Sequence, residues 1–68
     1  MKFYIGYIGP DLALLQKESN GRYTRIFTNG FGVKSNWKMK QVDFISSFKA
    51  DSIYEARCRF QVYEDMIK

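Results

Sequence analysis

The sequence predicts an α+β fold in which an antiparallel β-meander of four or five strands packs on one C-terminal α-helix. Three observations lead to this prediction. Short runs of β-branched and aromatic residues recur between residues 2 and 49, which is typical of strands. The pairs Asn20-Gly21 and Asn29-Gly30 separate some of these runs, and Asn-Gly is a strong hairpin signal. Residues 52–67 then change to helical spacing behind an N-terminal cap.

The first strand is predicted over residues 2–8, KFYIGYI. Side chains alternate across a strand, so both faces of this one are mostly apolar. One face carries Phe3, Ile5 and Tyr7, and the other carries Tyr4, Gly6 and Ile8. We therefore expect a strand that is central or covered on both sides, ended by the turn residues that follow Ile8.

A hairpin is predicted from strands over residues 12–18 and 22–28. A two-residue turn at Asn20-Gly21 would pair Leu15 with Ile26, whereas a three-residue loop closing on Gly21 would pair Glu18 with Arg22. One residue of slip moves every side chain to the opposite face, and the sequence leaves both registers open.

Two further strands are predicted, a weaker one over residues 31–37 and a clearer one over residues 42–49. In the second of these, simple alternation assigns four residues to one face, and they are Val42, Phe44, Ser46 and Phe48.

The C-terminal helix is predicted from residue 53 to about residue 67, because Ser52 and Glu55 fit the capping box S-x-x-E. One apolar stripe follows at steps of three and four residues, formed by Ile53, Ala56, Phe60, Tyr63 and Ile67. Val62 and Met66 lie off this stripe. They are either packed at its rim or form a small contact surface for a partner.

Composition narrows the class of protein. The 68 residues predict a single small domain over residues 1–68, with one cysteine and no histidine. An intrachain disulfide and a Cys/His zinc site are therefore excluded, so stability must come from packing or from a partner. A homodimer is possible and is compatible with either of the two functions considered below. A lone cysteine suits a reducing compartment, and no segment resembles a secretory signal or a membrane span, so we expect a soluble cytoplasmic protein.

Catalysis is not expected. Without histidine, the usual general bases and Ser-His or Cys-His pairs are missing. The seven carboxylates are scattered along the chain, and no glycine-rich phosphate loop is present. The sequence therefore predicts a protein that is not an enzyme and has no metal site and no cofactor.

The densest basic run is VKSNWKMK, residues 33–40, and the net charge of +4 favours a polyanionic partner. The candidate nucleic-acid-binding residues are Lys34, Asn36, Trp37, Lys38, Lys40, Arg22 and Arg25. If the run is extended, its lysines point one way, while Trp37 and Met39 point the other. The lysines then either contact phosphates or only solvate an edge strand, and Trp37 is either in the core or at the surface.

Two functions follow from these patterns. The first is a small non-catalytic module that binds DNA or RNA through a basic and aromatic sheet surface. The alternative is a protein-binding accessory factor or inhibitor, of the kind that phages and mobile elements encode, which docks on a larger protein such as a nucleic-acid enzyme. Its candidate contact residues are Val62, Met66 and Tyr4, together with an open sheet edge.

Overall fold

A computed structural model describes residues 1–26 and 36–67. The strands are β1 (Lys2–Ile8), β2 (Asp11–Lys17), β3 (Tyr23–Ile26), β4 (Asn36–Trp37) and β5 (Asp43–Lys49). A short 3-10 helix covers Met39–Gln41, and the C-terminal helix α1 covers Ile53–Ile67. The strands form one antiparallel sheet in the order β4-β3-β2-β1-β5. The predicted α+β class, with an antiparallel sheet and a C-terminal helix, is confirmed.

Strand β1 lies inside the sheet, between β2 and β5. Strands β1 to β4 follow one another as a meander, and β5 then returns to the free side of β1. This return pairs the backbone groups of β1 on both of its edges, and buried backbone groups are costly when they are left unpaired. The expectation of a central first strand is confirmed.

One face of the sheet, the helix face, packs against α1. Its cluster contains Phe3, Ile5 and Leu14 from the sheet and Ala56 and Phe60 from the helix. The centre of the predicted apolar stripe is therefore buried. The two ends of the stripe are more open, since Ile53 is 44% exposed and Ile67 is 49% exposed.

The opposite side, which we call the open face, carries a second apolar cluster formed by Ile8, Ala13, Leu15, Tyr23 and Val42. Tyr4 and Trp37 are partly buried against this cluster. Trp37 thus packs on the side of the sheet away from α1, half in the core and half at the surface. Both sides of β1 are covered by apolar contacts, as its two apolar faces predict.

The β2–β3 hairpin adopts the three-residue loop. Leu15 pairs with Arg25, which excludes the register that pairs Leu15 with Ile26. The amide of Glu18 donates to the carbonyl of Arg22 at 2.7 Å, and the amide of Gly21 donates to the carbonyl of Glu18 at 3.0 Å. Gly21 has a φ of 84°, a left-handed conformation that glycine adopts without steric cost.

Strand β5 contains a β-bulge that reverses its side-chain alternation. Ser46 pairs with Ile5 and Phe44 pairs with Gly6, so Ile45 is the extra residue. Phe48 consequently stacks on Phe3 on the helix face, with 5.9 Å between ring centroids, whereas Phe44 lies on the open face. The prediction that Phe44 and Phe48 share a face with Val42 and Ser46 is wrong for this reason.

The predicted extended run over residues 34–40 also needs a correction. Its first two residues, like most of the predicted strand over 31–37, lie outside the described residues, and β4 covers only Asn36–Trp37. The 3-10 helix then interrupts the alternation, closed by a hydrogen bond from the Lys38 amide to Gln41 Oε1 at 2.8 Å. Met39 is therefore 64% exposed and is not packed under α1.

The start of α1 follows the sequence prediction closely. The amide of Glu55 donates to Ser52 Oγ at 3.1 Å, which makes Ser52 the N-cap. The Glu55 carboxylate accepts from the amide of Asp51 at 2.9 Å, one residue further back than a capping box requires. Glu55 also pairs with Arg59 at 3.2 Å.

Replacing Gly6 with alanine should destabilise the protein. A Cβ atom at residue 6 would lie 2.8 Å from the carbonyl oxygen of Asp43 and 2.8 Å from Cγ1 of Val42, so the backbone around the bulge would have to move. We expect Gly6→Ala to lower the free energy of unfolding in urea by about 1–3 kcal/mol. The control is Gly9→Asn, where a Cβ meets nothing within 4 Å and asparagine tolerates the positive φ. Equal losses in both variants would contradict the close approach at Gly6.

Removing the N-cap should destabilise the fold by about 1 kcal/mol, because Ser52→Ala leaves the Glu55 amide without its acceptor. The exposed Ser47 provides the matched control, since Ser47→Ala removes a hydroxyl from a strand rather than from a helix end. Urea denaturation followed by circular dichroism measures both. An unchanged midpoint for Ser52→Ala would show that the cap does not contribute to stability.

Candidate functional site on the open sheet face

Three lysines lie in one line across the open face, at the end of the sheet where β1 begins. Lys2 pairs directly with Lys49 of β5. On the other side of β1, Phe3 pairs with Gln16, so Lys2 lies opposite Lys17 of β2 in the next position of the same register. Directly opposite residues share a face, and Lys2 shares its face with Tyr4. We call Lys2, Lys17 and Lys49 the lysine row.

The same line continues across the remaining strands with aromatic residues. Lys17 pairs with Tyr23, and Tyr23 pairs with Trp37. The open face therefore presents cations on β5, β1 and β2 and rings on β3 and β4. This line runs perpendicular to the strands.

The part of the chain that the structure describes supplies no carboxylate partner to the lysine row. All three lysines are exposed, and within residues 1–26 and 36–67 none of them forms an ion pair with a carboxylate. The Lys2 ammonium lies 5.5 Å from the centroid of the Tyr4 ring, a cation–π contact that leaves its charge uncompensated. Like charges directly across a sheet destabilise it, so the row has a cost within the fold.

A cluster of three rings lies immediately beside the lysine row. Tyr4 meets Tyr23 edge-on at 5.2 Å and Phe44 at 5.7 Å, and Tyr23 lies 4.9 Å from Phe44. Tyr23 is buried, Tyr4 is half-buried, and Phe44 is 36% exposed. The cluster is thus anchored at its centre and has ring surface available at its edge.

These rings line an open pocket of about 300 Å³, which we call the ring pocket. Its walls are Tyr4, Tyr23, Met39, Phe44, Ile45, Ser46 and Ser47. Ser47 pairs with Tyr4, so the pocket lies one same-face step from the pair formed by Lys2 and Lys49. An apolar cavity with a few polar groups, next to cations, is suited to a ligand that joins a planar ring to an anion.

Some of the residues predicted to bind nucleic acid lie near this surface. Because Tyr23 pairs with Trp37, the neighbouring Arg22 and Lys38 extend the same end of the sheet as the lysine row. Lys40 is exposed in the 3-10 helix. The backbone of Asn36 pairs with Thr24, and Lys34 lies outside the described residues.

Arg25 lines a groove between the end of α1 and the β1–β2 turn, and its backbone pairs with Leu15 of the open face. The register aligns Trp37 with the lysine row. Arg22 and Lys38 lie at the same end of the sheet, but each is the chain neighbour of an aligned residue, and neighbours in a strand point to opposite faces.

The residues predicted for protein contact do not form one surface. Val62 is 61% exposed and Met66 is 78% exposed on α1, so neither is packed at the rim of the apolar stripe. Tyr4 lies on the open face, across the sheet from α1. A partner that contacts Val62 and Met66 would meet a different side of the protein from one that contacts Tyr4.

Sequence reasoning missed the lysine row and the contribution of Phe44 to the ring pocket. Lys2, Lys17 and Lys49 are isolated in the sequence, each at an end of a strand, and no local run marks them. Their alignment depends on the hairpin register and on the return of β5 to β1. The usable signal was that Lys2 alternates with Tyr4 on one face of β1.

Comparisons with protein-family models, with curated proteins and with solved structures found no match. Within the described ranges, no three side chains of the metal-binding types are placed to hold an ion, and no helix has the length and apolar character needed to cross a membrane.

A charge reversal in the lysine row should stabilise the fold. Lys49→Glu places a carboxylate opposite Lys2, so a repulsive cross-strand pair becomes an attractive one. We expect the free energy of unfolding to rise by about 0.5–1 kcal/mol at low salt, and the gain to shrink at high salt. Lys40→Glu makes the same change of net charge outside the row. If both substitutions raise the stability equally, only net charge matters and the cross-strand repulsion is contradicted.

Proposed function

We propose that this protein is a non-catalytic module that binds nucleic acid through its open face. One observation carries the proposal: three exposed lysines, which have no carboxylate partner within residues 1–26 and 36–67, share a cross-strand row beside partly exposed aromatic rings. The row is present although like charges opposite each other destabilise a sheet. A polyanionic ligand would convert this cost into binding free energy, because each phosphate that a lysine neutralises releases counterions.

The direction of the lysine row gives the direction in which a bound nucleic-acid strand would run across the sheet. Neighbouring strands of a sheet lie about 4.8 Å apart, so the lysine row spans roughly 10 Å across β5, β1 and β2. A phosphate backbone that follows the row runs perpendicular to the strands and continues toward Tyr23 and Trp37. Arg22 and Lys38 lie at the same end of the sheet. The net charge of +4 favours long-range attraction of the ligand.

The site of action that we propose is the cytoplasm, where the exposed Cys58 would stay reduced. A second candidate function is docking on a larger protein as an accessory factor or inhibitor. The observation that favours it is the exposed pair Val62 and Met66 on α1. Such binding would depend on apolar contacts and would tolerate salt, whereas binding to the open face would weaken steeply as salt rises.

Removing two cations from the lysine row should weaken nucleic-acid binding. We expect Lys2→Gln with Lys17→Gln to reduce affinity for short DNA and RNA roughly tenfold near physiological salt, as measured by fluorescence anisotropy. The slope of log affinity against log salt should fall by about 0.7 for each lysine if the ligand is single-stranded.

The matched control removes two positive charges from α1, with Arg57→Gln and Arg59→Gln. Both variants have the same net charge, and the exposed ion pair that Arg59 makes with Glu55 contributes little to stability. Equal weakening by the two double variants would show that binding follows net charge and not the open face. If the wild-type protein bound no nucleic acid even at low salt, the proposal would be wrong and the docking function would take its place.

A further inference from the structure

We infer that the ring pocket takes one unstacked base, and that the ligand of this module is therefore a single-stranded nucleic acid. The inference rests on the proposed function and adds the class of nucleic acid and the site of a base. It depends on the shape of the ring pocket, its position beside the lysine row and its opening at the edge of the sheet.

The size and the aromatic lining of the ring pocket suit one flat ring. Its volume of about 300 Å³ is at the small end of the range for ligand pockets, so it accommodates one compact planar group. Phe44 and Tyr4 supply ring surface, and Met39, 64% exposed, adds a flexible apolar wall. Stacking on aromatic side chains is tolerant of base identity and raises affinity roughly 5- to 150-fold per base.

The position of the pocket connects a base to a phosphate. Tyr4 lines the pocket, and the Lys2 ammonium is 5.5 Å from the centroid of the same ring. Ser47, directly opposite Tyr4, is two residues from Lys49 along β5. A nucleotide whose base enters the pocket thus places its phosphate toward the pair formed by Lys2 and Lys49. An aromatic side chain of a protein would fill the pocket but would leave these charges unused.

The position of the ring pocket at the edge of the sheet explains why a single-stranded nucleic acid is favoured over a duplex. Among the described strands, β5 has one neighbour, β1, so the pocket wall formed by Ile45 and Ser46 lies on an edge strand of the sheet. The hydroxyl of Ser47, which pairs with Tyr4, borders the pocket on the open face, where it can hydrogen-bond to the edge of a base. An edge strand also leaves backbone groups unpaired on its outer side. A base in a duplex reaches such a pocket only after it leaves the stack, which costs free energy, whereas a base in a single strand is already accessible.

The test uses fluorescence anisotropy with four probes: a short mixed-sequence DNA strand, the RNA of the same sequence, the DNA duplex, and a DNA strand of equal length that contains only abasic nucleotides. The abasic strand keeps every phosphate and removes every base, so it probes the pocket without altering the protein. We expect the intact single strands to bind at least tenfold more tightly than the duplex and the abasic strand near physiological salt.

Two variants locate the effect in the protein. Phe44→Leu should weaken binding of the intact strand about tenfold and leave binding of the abasic strand unchanged. Tyr54→Leu removes a ring that is 76% exposed on α1, and it should alter neither. Met39→Gln changes an exposed residue of the pocket wall without disturbing the core. It should weaken binding of the intact strand only. This variant therefore tests the pocket if the Phe44→Leu protein does not fold.

The outcomes separate this inference from the proposed function. Equal affinity for intact and abasic strands, with binding still reduced by Lys2→Gln and Lys17→Gln, would overturn the base pocket and leave the nucleic-acid module standing. Tighter binding to the duplex than to the single strand would also overturn the base pocket and leave the nucleic-acid module standing. Absence of binding to every probe at low salt would overturn both.

Discussion

Burial of β1 on both of its faces is the constraint on which the rest of the structure depends. Phe3 and Ile5 must be covered on one side, and Ile8 and Tyr4 on the other, so a single helix is not enough. Helix α1 covers the first side. The segment from β4 to β5 covers the second, through Trp37 and Val42. The return of β5 to β1 pairs the remaining backbone groups of the central strand.

The close approach of β5 to Gly6 follows from that return and determines what the open face can do. With no side chain at residue 6, the backbone of β5 comes near enough for a bulge at Ile45, and the bulge sends Phe44 and Phe48 to opposite faces. Phe48 then contributes to the core under α1. Phe44 joins Tyr4 and becomes a wall of the ring pocket. One inserted residue therefore supplies both a core contact and a wall of the ring pocket.

The two sides of the sheet divide stability and proposed function between them. The helix face is closed by apolar packing, with Phe3 and Leu14 fully buried. The open face is only half closed, and it carries the lysine row at one end, where cross-strand repulsion makes the fold less stable than it would otherwise be. Charged residues arranged against local stability, beside exposed rings, are expected at sites that bind a ligand of opposite charge.

The sequence by itself determined the local features of this protein: the α+β class, the extent of β1, and the start of α1 at Ser52. Strand alternation and capping depend on neighbours in the chain, and for that reason they can be recognised without a structure. The hairpin register, the bulge in β5 and the lysine row were decided only by the tertiary structure. Residues 2, 17 and 49 meet because two strand pairings place them together, and Phe44 changes face because the backbone of β5 fits against Gly6. Long-range pairing of this kind has no signature in a local stretch of sequence. The basic run at residues 33–40 is visible in the sequence because its lysines are chain neighbours, whereas the lysines of the row are brought into line only by the sheet.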